Sequence, residues 1–292
     1  MFTGSYTALV TPFREGQVDY EAFEALINHQ AEEGIDGIVP VGTTGESPTV
    51  DASEHIEIIR HAVQFSAGRL KVVAGTGANS TSEAIYLTRE AEKAGVDGSL
   101  QVCPYYNKPS QEGLYQHFKA IAEASSLPLM LYSVPGRSVI QIDVETVARL
   151  ANDCETVVSI KEAGGSSDRV NKLVQAVPAA FTVLSGDDPL TVPFMSVGAT
   201  GVVSVAANLI PGVISHQVKA ALDGSFDEAL AIQKRYYPLL SVLMTLDTNP
   251  IPIKSALALC GRCTPEFRLP LVGLTENKTE TLKAVLSDFG LL

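Results

Sequence analysis

Short apolar, β-branched runs recur along this chain, each followed by a polar loop and then by apolar residues at helical spacing. The runs are Thr7–Phe13, Gly37–Val41, Lys71–Gly75, Gly98–Cys103, Pro128–Val134, Val157–Lys161, Phe181–Ser185 and Gly201–Val205. Between them, Tyr20–Glu33, Ala52–Phe65, Ser82–Ala94, Gly113–Ala124 and Val144–Ala151 have the period of amphipathic helices. Continuous apolar strands alternating with helices imply parallel strands buried on both faces. Eight such units within about 210 residues predict an α/β fold of the (β/α)8 TIM-barrel type rather than a doubly wound sheet. No Gly-x-Gly-x-x-Gly follows the first strand, which weakens a dinucleotide-binding reading. Beyond Asn208 the pattern turns helical over Pro211–Leu222, Phe226–Leu246, Ile251–Leu259 and Lys278–Leu286. The expected organisation is therefore a catalytic barrel over residues 1–224 and a C-terminal helical extension over 225–292.

Composition narrows the partners. The 292 residues carry a formal net charge of −12, which disfavours nucleic acid or an anionic membrane as the main partner. An anionic small molecule stays open, because it needs only a local cluster of donors. Met1-Phe2-Thr3-Gly4-Ser5-Tyr6 lacks the basic and apolar regions of a secretory signal. No apolar run reaches the roughly 18 residues of a membrane span. Cys103, Cys154, Cys260 and Cys263 are scattered, and Cys260-Gly-Arg-Cys263 has no second pair to complete a metal site. A reducing cytoplasm is the expected location.

In a barrel of this type, chemistry belongs at the C-terminal ends of the strands. Four unusual features fall there. Gly42-Thr43-Thr44-Gly45-Glu46-Ser47 follows strand two, where small residues let main-chain N–H groups converge on an anion. An ordinary glycine-rich turn reads the same way. Pro104-Tyr105-Tyr106-Asn107-Lys108-Pro109 ends strand four, and Tyr132-Ser133-Val134-Pro135-Gly136-Arg137 follows strand five. Lys161 interrupts the apolar strand six, in Thr156-Val157-Val158-Ser159-Ile160-Lys161-Glu162-Ala163. A buried lysine is displaced toward the neutral amine, which is a nucleophile toward ketones. A lysine that snorkels from a strand end to solvent fits that segment equally well. Tyr132 alone reads as a half-buried strand aromatic and Arg137 as a solvated loop charge, but in one mouth with Lys161 the phenol suits proton relay and the guanidinium a carboxylate clamp.

These segments resemble the signatures of the pyruvate-dependent class I aldolase family. Within it, the chain is most similar to the branch that condenses pyruvate with L-aspartate 4-semialdehyde. The similarity runs from Met1-Phe2-Thr3-Gly4-Ser5 through Pro109–Phe118 to Asn249-Pro250-Ile251-Pro252-Ile253-Lys254. It implies that Lys161 forms a Schiff base with C2 of pyruvate, losing a C3 proton to give an enamine that attacks the aldehyde. Transimination by the substrate amine then closes the ring and frees the lysine, giving 4-hydroxy-tetrahydrodipicolinate, the first committed step of the diaminopimelate route to L-lysine. By the same resemblance, Tyr132 shuttles protons together with Thr43 and with a tyrosine of the neighbouring subunit, which maps to Tyr106. Thr44 holds the pyruvate carboxylate, Arg137 anchors the carboxylate of the semialdehyde, and Gly186 and Val203 line the pocket through main-chain groups. No cofactor or metal is implied, because the lysine itself supplies the electron sink. A homotetramer built as a dimer of dimers is expected, and a mean hydropathy of +0.17 agrees with buried interfaces.

Lysine-inhibited members of the family bind L-lysine between two subunits. The matching positions are Ser47, Pro48, Ala52, His55, Asn79, Glu83 and Tyr105. Ala52 and Pro48 depart from the most sensitive relatives, so the resemblance implies weaker binding. Asn79 and Glu83 are also the residue types that cap a helix beginning near Ser80.

Other classes are less well supported. Sialic-acid lyases and sugar-acid aldolases share the lysine and the tyrosine, but their polyhydroxylated aldehydes call for hydroxyl-binding side chains where Arg137 stands. A metal hydrolase would place ligands at strand ends, whereas all five histidines fall in helical stretches. A phosphate site after strands seven and eight meets the acidic pair Asp187-Asp188. A non-catalytic barrel would be expected to lose Lys161, Tyr132 or Arg137. Ser133, where asparagine is common in the family, is the one visible departure near the site.

Overall fold

The computed structural model describes residues 2–292, in which eight parallel strands close into a barrel. The strands are β1 (Gly4–Ala8), β2 (Gly37–Val39), β3 (Lys71–Gly75), β4 (Gly98–Val102), β5 (Leu129–Ser133), β6 (Val157–Glu162), β7 (Thr182–Ser185) and β8 (Gly201–Ser204). Each pairs with the next in sequence, and β8 returns to β1, so no edge is left open. The seam is tight at Gly201, where a Cβ would lie 1.9 Å from the Gly4 carbonyl oxygen, so only glycine fits.

Helices α1 (Tyr20–Glu32), α2 (Ala52–Ser66), α3 (Thr81–Ala94), α4 (Gln111–Ala124), α5 (Val144–Asp153), α6 (Ser167–Ala176), α7 (Thr191–Met195) and α8 (Pro211–Leu222) surround the strands. Their starts are written in side chains. Asp19 caps α1 at Ala22 N–H, Asp51 caps α2 at Ser53 and Glu54 N–H, and Ser110 caps α4 at Gly113 N–H. Phe23, Leu26 and Ile27 of α1, like Ile56, Ile58 and Ile59 of α2, are buried at helical spacing. The barrel interior holds a separate apolar cluster that includes Phe2, Tyr6, Val39, Val73, Leu100, Met130, Leu184 and Val203.

Two expectations need correction. The first strand was expected over Thr7–Phe13, but β1 begins at Gly4 and ends at Ala8. Residues 9–12 are buried in the mouth loop instead, and Phe13–Arg14 pairs antiparallel with Gln17–Val18: Leu9 N–H donates to the Val39 carbonyl (3.1 Å) and Val10 N–H to Asn208 Oδ1 (3.1 Å). Apolar continuity alone does not separate a strand from a buried loop. Helices α6 and α7 were not anticipated. The first buries only Val170 and Leu173 of its ten residues, so it has few apolar positions to read, and the second is five residues long, too short to show a period.

The C-terminal helices are α9 (Phe226–Thr245), α10 (Ile251–Leu259) and α11 (Glu276–Asp288). Their apolar residues, among them Leu239, Leu243, Ile253, Leu257, Leu282 and Leu286, join the same core that lies between the strands and the barrel helices. Lys254 of α10 forms an ion pair with Glu46 (2.7 Å), both side chains fully buried. Further along, Arg268 pairs with Glu54 and its N–H donates to Glu46 Oε2 (3.1 Å). The extension thus grips the loop after β2 from outside. No helix among the described residues is long and apolar enough to cross a membrane.

Candidate active site

An irregularity in β6 places Lys161. Leu129 of β5 pairs with Val157, but the next residue, Met130, pairs with Ser159, so Val158 is one residue extra. Val157 faces the helix layer. Strict alternation from there would send Lys161 outward as well. The extra residue inverts the parity: Ile160 packs in the helix layer and Lys161 pairs with Tyr132, whose ring belongs to the barrel interior. Lys161 is only 5% exposed, so the snorkelling alternative does not hold. Its Nζ lies 4.3 Å from the centroid of the Tyr132 ring, a favourable position for a cation over an aromatic face. On the other side, a Cβ at Gly186 would stand 3.0 Å from Lys161 Cε and 3.2 Å from its Cγ. Glycine at that position leaves the lysine stem its path. Val203 lines the interior from β8.

The loop after β2 is strained and short of partners. Val41 (φ 46°) and Glu46 (φ 56°) adopt left-handed conformations, which is costly for a β-branched residue. Gly45 N–H donates to the Gly42 carbonyl (3.1 Å) and Glu46 N–H to the Thr43 carbonyl (3.1 Å). The N–H groups of Thr43 and Thr44 donate to no acceptor among the described residues, although Thr44 is buried. Two adjacent unpaired N–H groups with hydroxyls beside them make a cradle for an anion.

Thr43, Gly77, Val102, Val134, Arg137 and Ser138 line a cavity of about 210 Å³ together with Ser47, Pro48 and Tyr105. Arg137 sits in a single helical turn, Pro135–Ser138, and its Nη2 donates to the Asn249 carbonyl (2.8 Å). Asn249 in turn donates from Nδ2 to Thr44 Oγ1 (3.1 Å). Nothing in the sequence pattern singled out this bridge from the C-terminal extension.

Not every expected contact forms within one chain. The Tyr132 hydroxyl makes no hydrogen bond to Thr43, and Tyr106 is 89% exposed, away from Lys161. Tyr106 is presented on a left-handed backbone (φ 75°). Two asparagines hold that loop reciprocally: Asn79 Nδ2 donates to the Tyr105 carbonyl (3.2 Å) and Asn107 Nδ2 to the Asn79 carbonyl (2.8 Å). Asn79 is therefore a loop clamp rather than a helix cap, and the N-cap of α3 is Ser80. Burial pushes the Tyr105 phenol up, and the Glu83 carboxylate adds to that shift. His55 is buried with Nε2 2.7 Å from the Gly75 carbonyl, and burial lowers its pKa. Ser133 lies on the opposite face of β5 from Tyr132, level with Glu162, so its departure from the family pattern points away from the cavity.

Carboxylates govern the far side. Asp188 is fully enclosed and accepts from the Ser204 hydroxyl and from the N–H groups of Val205 (2.9 Å) and Ala206 (3.0 Å). Burial raises its pKa, while the Lys161 charge opposes that rise. Asp187 is pushed up to about 6 by burial and by the Asp188 charge. The donors that a phosphate would use after β8 are thus already taken by Asp188. Glu162, next to Lys161, is held by Arg169 (3.0 Å) and by Gly164 N–H (2.8 Å).

Known proteins resemble this chain over nearly its whole length. The model of the Dihydrodipicolinate synthetase family matches residues 1–289. The 4-hydroxy-tetrahydrodipicolinate synthase of Persephonella marina is 51% identical, with all of both chains covered. The crystal structure of dihydrodipicolinate synthase from Aquifex aeolicus superposes with a TM-score of 0.98 at 46% identity, covering 99% of each chain. DHDPS from Cyanidioschyzon merolae, solved with lysine bound, superposes at 0.96 with 44% identity, over 100% of this chain and 99% of that one. A family match over residues 1–289 and 51% identity to a relative along the whole of both chains place the chain in the dihydrodipicolinate synthetase family.

Proposed function

We propose that this chain catalyses the condensation of pyruvate with L-aspartate 4-semialdehyde to 4-hydroxy-tetrahydrodipicolinate. The observation that carries the reading is Lys161, buried in the barrel interior against the Tyr132 ring. Its amine adds to C2 of pyruvate and water leaves, giving an iminium. Loss of a C3 proton to the relay gives the enamine, whose C3 bonds to the aldehyde carbon of the second substrate. The substrate amine then displaces Lys161 from C2, closing the ring and returning the free lysine. The Thr44 hydroxyl and the unpaired N–H groups of Thr43 and Thr44 receive the pyruvate carboxylate. Arg137, which lines the cavity, takes the carboxylate of the semialdehyde. Gly186 and Val203 line the substrate pocket through main-chain groups. Tyr132 and Thr43 relay protons with Tyr106 of a neighbouring subunit, which fits the outward exposure of Tyr106. The assembly is a homotetramer in which each site is shared by two subunits, working in a reducing cytoplasm that suits four free cysteines.

The substrate assignment is tested by offering the enzyme pyruvate with L-aspartate 4-semialdehyde, N-acetylmannosamine or glyceraldehyde. Turnover is expected with the semialdehyde at least about a hundredfold above either sugar aldehyde, and Arg137→Ala should raise its KM about tenfold or more. Faster reaction with a sugar aldehyde would transfer the chain to the sugar-acid aldolases.

L-Lysine is the proposed effector, held by Ser47, His55, Asn79, Glu83 and Tyr105. Ser47 and Tyr105 line the same cavity as Thr43 and Arg137, which gives an effector there a short route to the reacting groups. A titration without inhibition at millimolar lysine rejects this part.

A further inference from the structure

We propose that Asn249, in the C-terminal extension, is a positioning residue whose side chain sets the donor direction of Thr44, while its main-chain carbonyl accepts from Arg137. The inference rests on the reading above, in which Thr44 and Arg137 receive the two substrate carboxylates. A threonine hydroxyl has one proton and two lone pairs. Because Thr44 Oγ1 accepts from Asn249 Nδ2 (3.1 Å), its own proton is left for a second acceptor. An acceptor on the substrate side completes that hydroxyl, and a carboxylate is the strongest one available there. The same residue's carbonyl accepts from Arg137 Nη2 (2.8 Å), so one asparagine restrains both groups.

The bridge is rigid at its far end. Lys254 Nζ contacts Glu46 Oε1 at 2.7 Å with both side chains fully buried, and Lys254 N–H donates to the Pro250 carbonyl (3.0 Å). The loop after β2 is thus held at Thr44 and again at Glu46 by one short segment of the extension. This assigns the extension a role in carboxylate binding that barrel architecture alone does not supply.

The test is a double-mutant cycle on pyruvate binding, read as the pyruvate concentration that half-saturates borohydride-trapped adduct on Lys161. Asn249→Ala is made in the native and in the Thr44→Val background, with Asn249→Ser as a conservative variant that keeps a short donor. With Thr44 present, Asn249→Ala should raise half-saturation about fivefold to tenfold, and Asn249→Ser should lie between it and the native enzyme. In the Thr44→Val background the further change should be under about twofold. The Asn249 carbonyl survives substitution, so the KM for the semialdehyde should move by less than about twofold. An unchanged pyruvate half-saturation, or the same rise in both backgrounds, would overturn the proposal. If the native enzyme traps no pyruvate on Lys161, the functional reading itself fails and this inference falls with it. Trapping without coupling rejects the role of Asn249 alone.

Discussion

Lys161 was legible in the sequence because one charged residue breaks an apolar strand, and such an exception needs a reason. The direction of its side chain was not legible. That depends on the extra residue Val158, which no periodicity in a six-residue strand reveals. Asn249 was hidden for a different cause: it meets Thr44 across 205 positions, and Asn-Pro reads locally as a turn. His117 gives a pH prediction at this scale. Its Nδ1 lies 2.9 Å from Thr81 Oγ1, its Nε2 is buried without a partner, and burial lowers its pKa to about 4. Between that value and the ordinary 6.5 the unfolded chain binds a proton that the folded chain refuses. The resulting stability is present above about pH 6.5 and is lost as the pH falls toward 4. Urea unfolding should show His117→Gln losing about 2 kcal/mol less than the native protein between pH 7 and pH 5. Equal losses would show that His117 does not govern the acid limb.

Among the elements, strands were easier to read than helices. All eight barrel strands fall within the apolar runs or overlap them, because burial on both faces selects mostly apolar and small residues. Helix α6 escaped because only two of its ten side chains are buried, too few apolar residues to mark it out in the sequence. The link between α10 and the loop after β2 could not be read at all, since neither Glu46 nor Lys254 looks unusual in its own segment. Burial pulls the Lys254 pKa down and Glu46 opposes it. Removing one partner leaves a buried charge alone, so Lys254→Met should cost about 3–5 kcal/mol in chemical unfolding. The double variant Lys254→Met with Glu46→Leu should recover much of that loss. A single variant within about 1 kcal/mol of native would mean that water reaches the pair.

For the whole molecule, the fold class followed from alternation alone, but the completeness of the site did not. One chain presents Lys161 inward and Tyr106 outward, so the proposed relay needs a neighbour. Mixing the two variants Lys161→Ala and Tyr106→Phe, each nearly inactive alone, tests this. If Tyr106 acts across the interface, refolding an equal mixture restores about a quarter of native activity, since half of the dimers are hybrids with one complete site each. No recovery would place the relay within a single chain.

In the proposed reaction Lys161 carries pyruvate as an imine. Borohydride reduction in the presence of pyruvate, followed by peptide mass mapping, tests it most directly. A stable pyruvate-derived secondary amine is expected on Lys161 and is absent from Lys161→Ala. An unmodified Lys161, or an adduct on another lysine, under conditions that label a known pyruvate aldolase would contradict it.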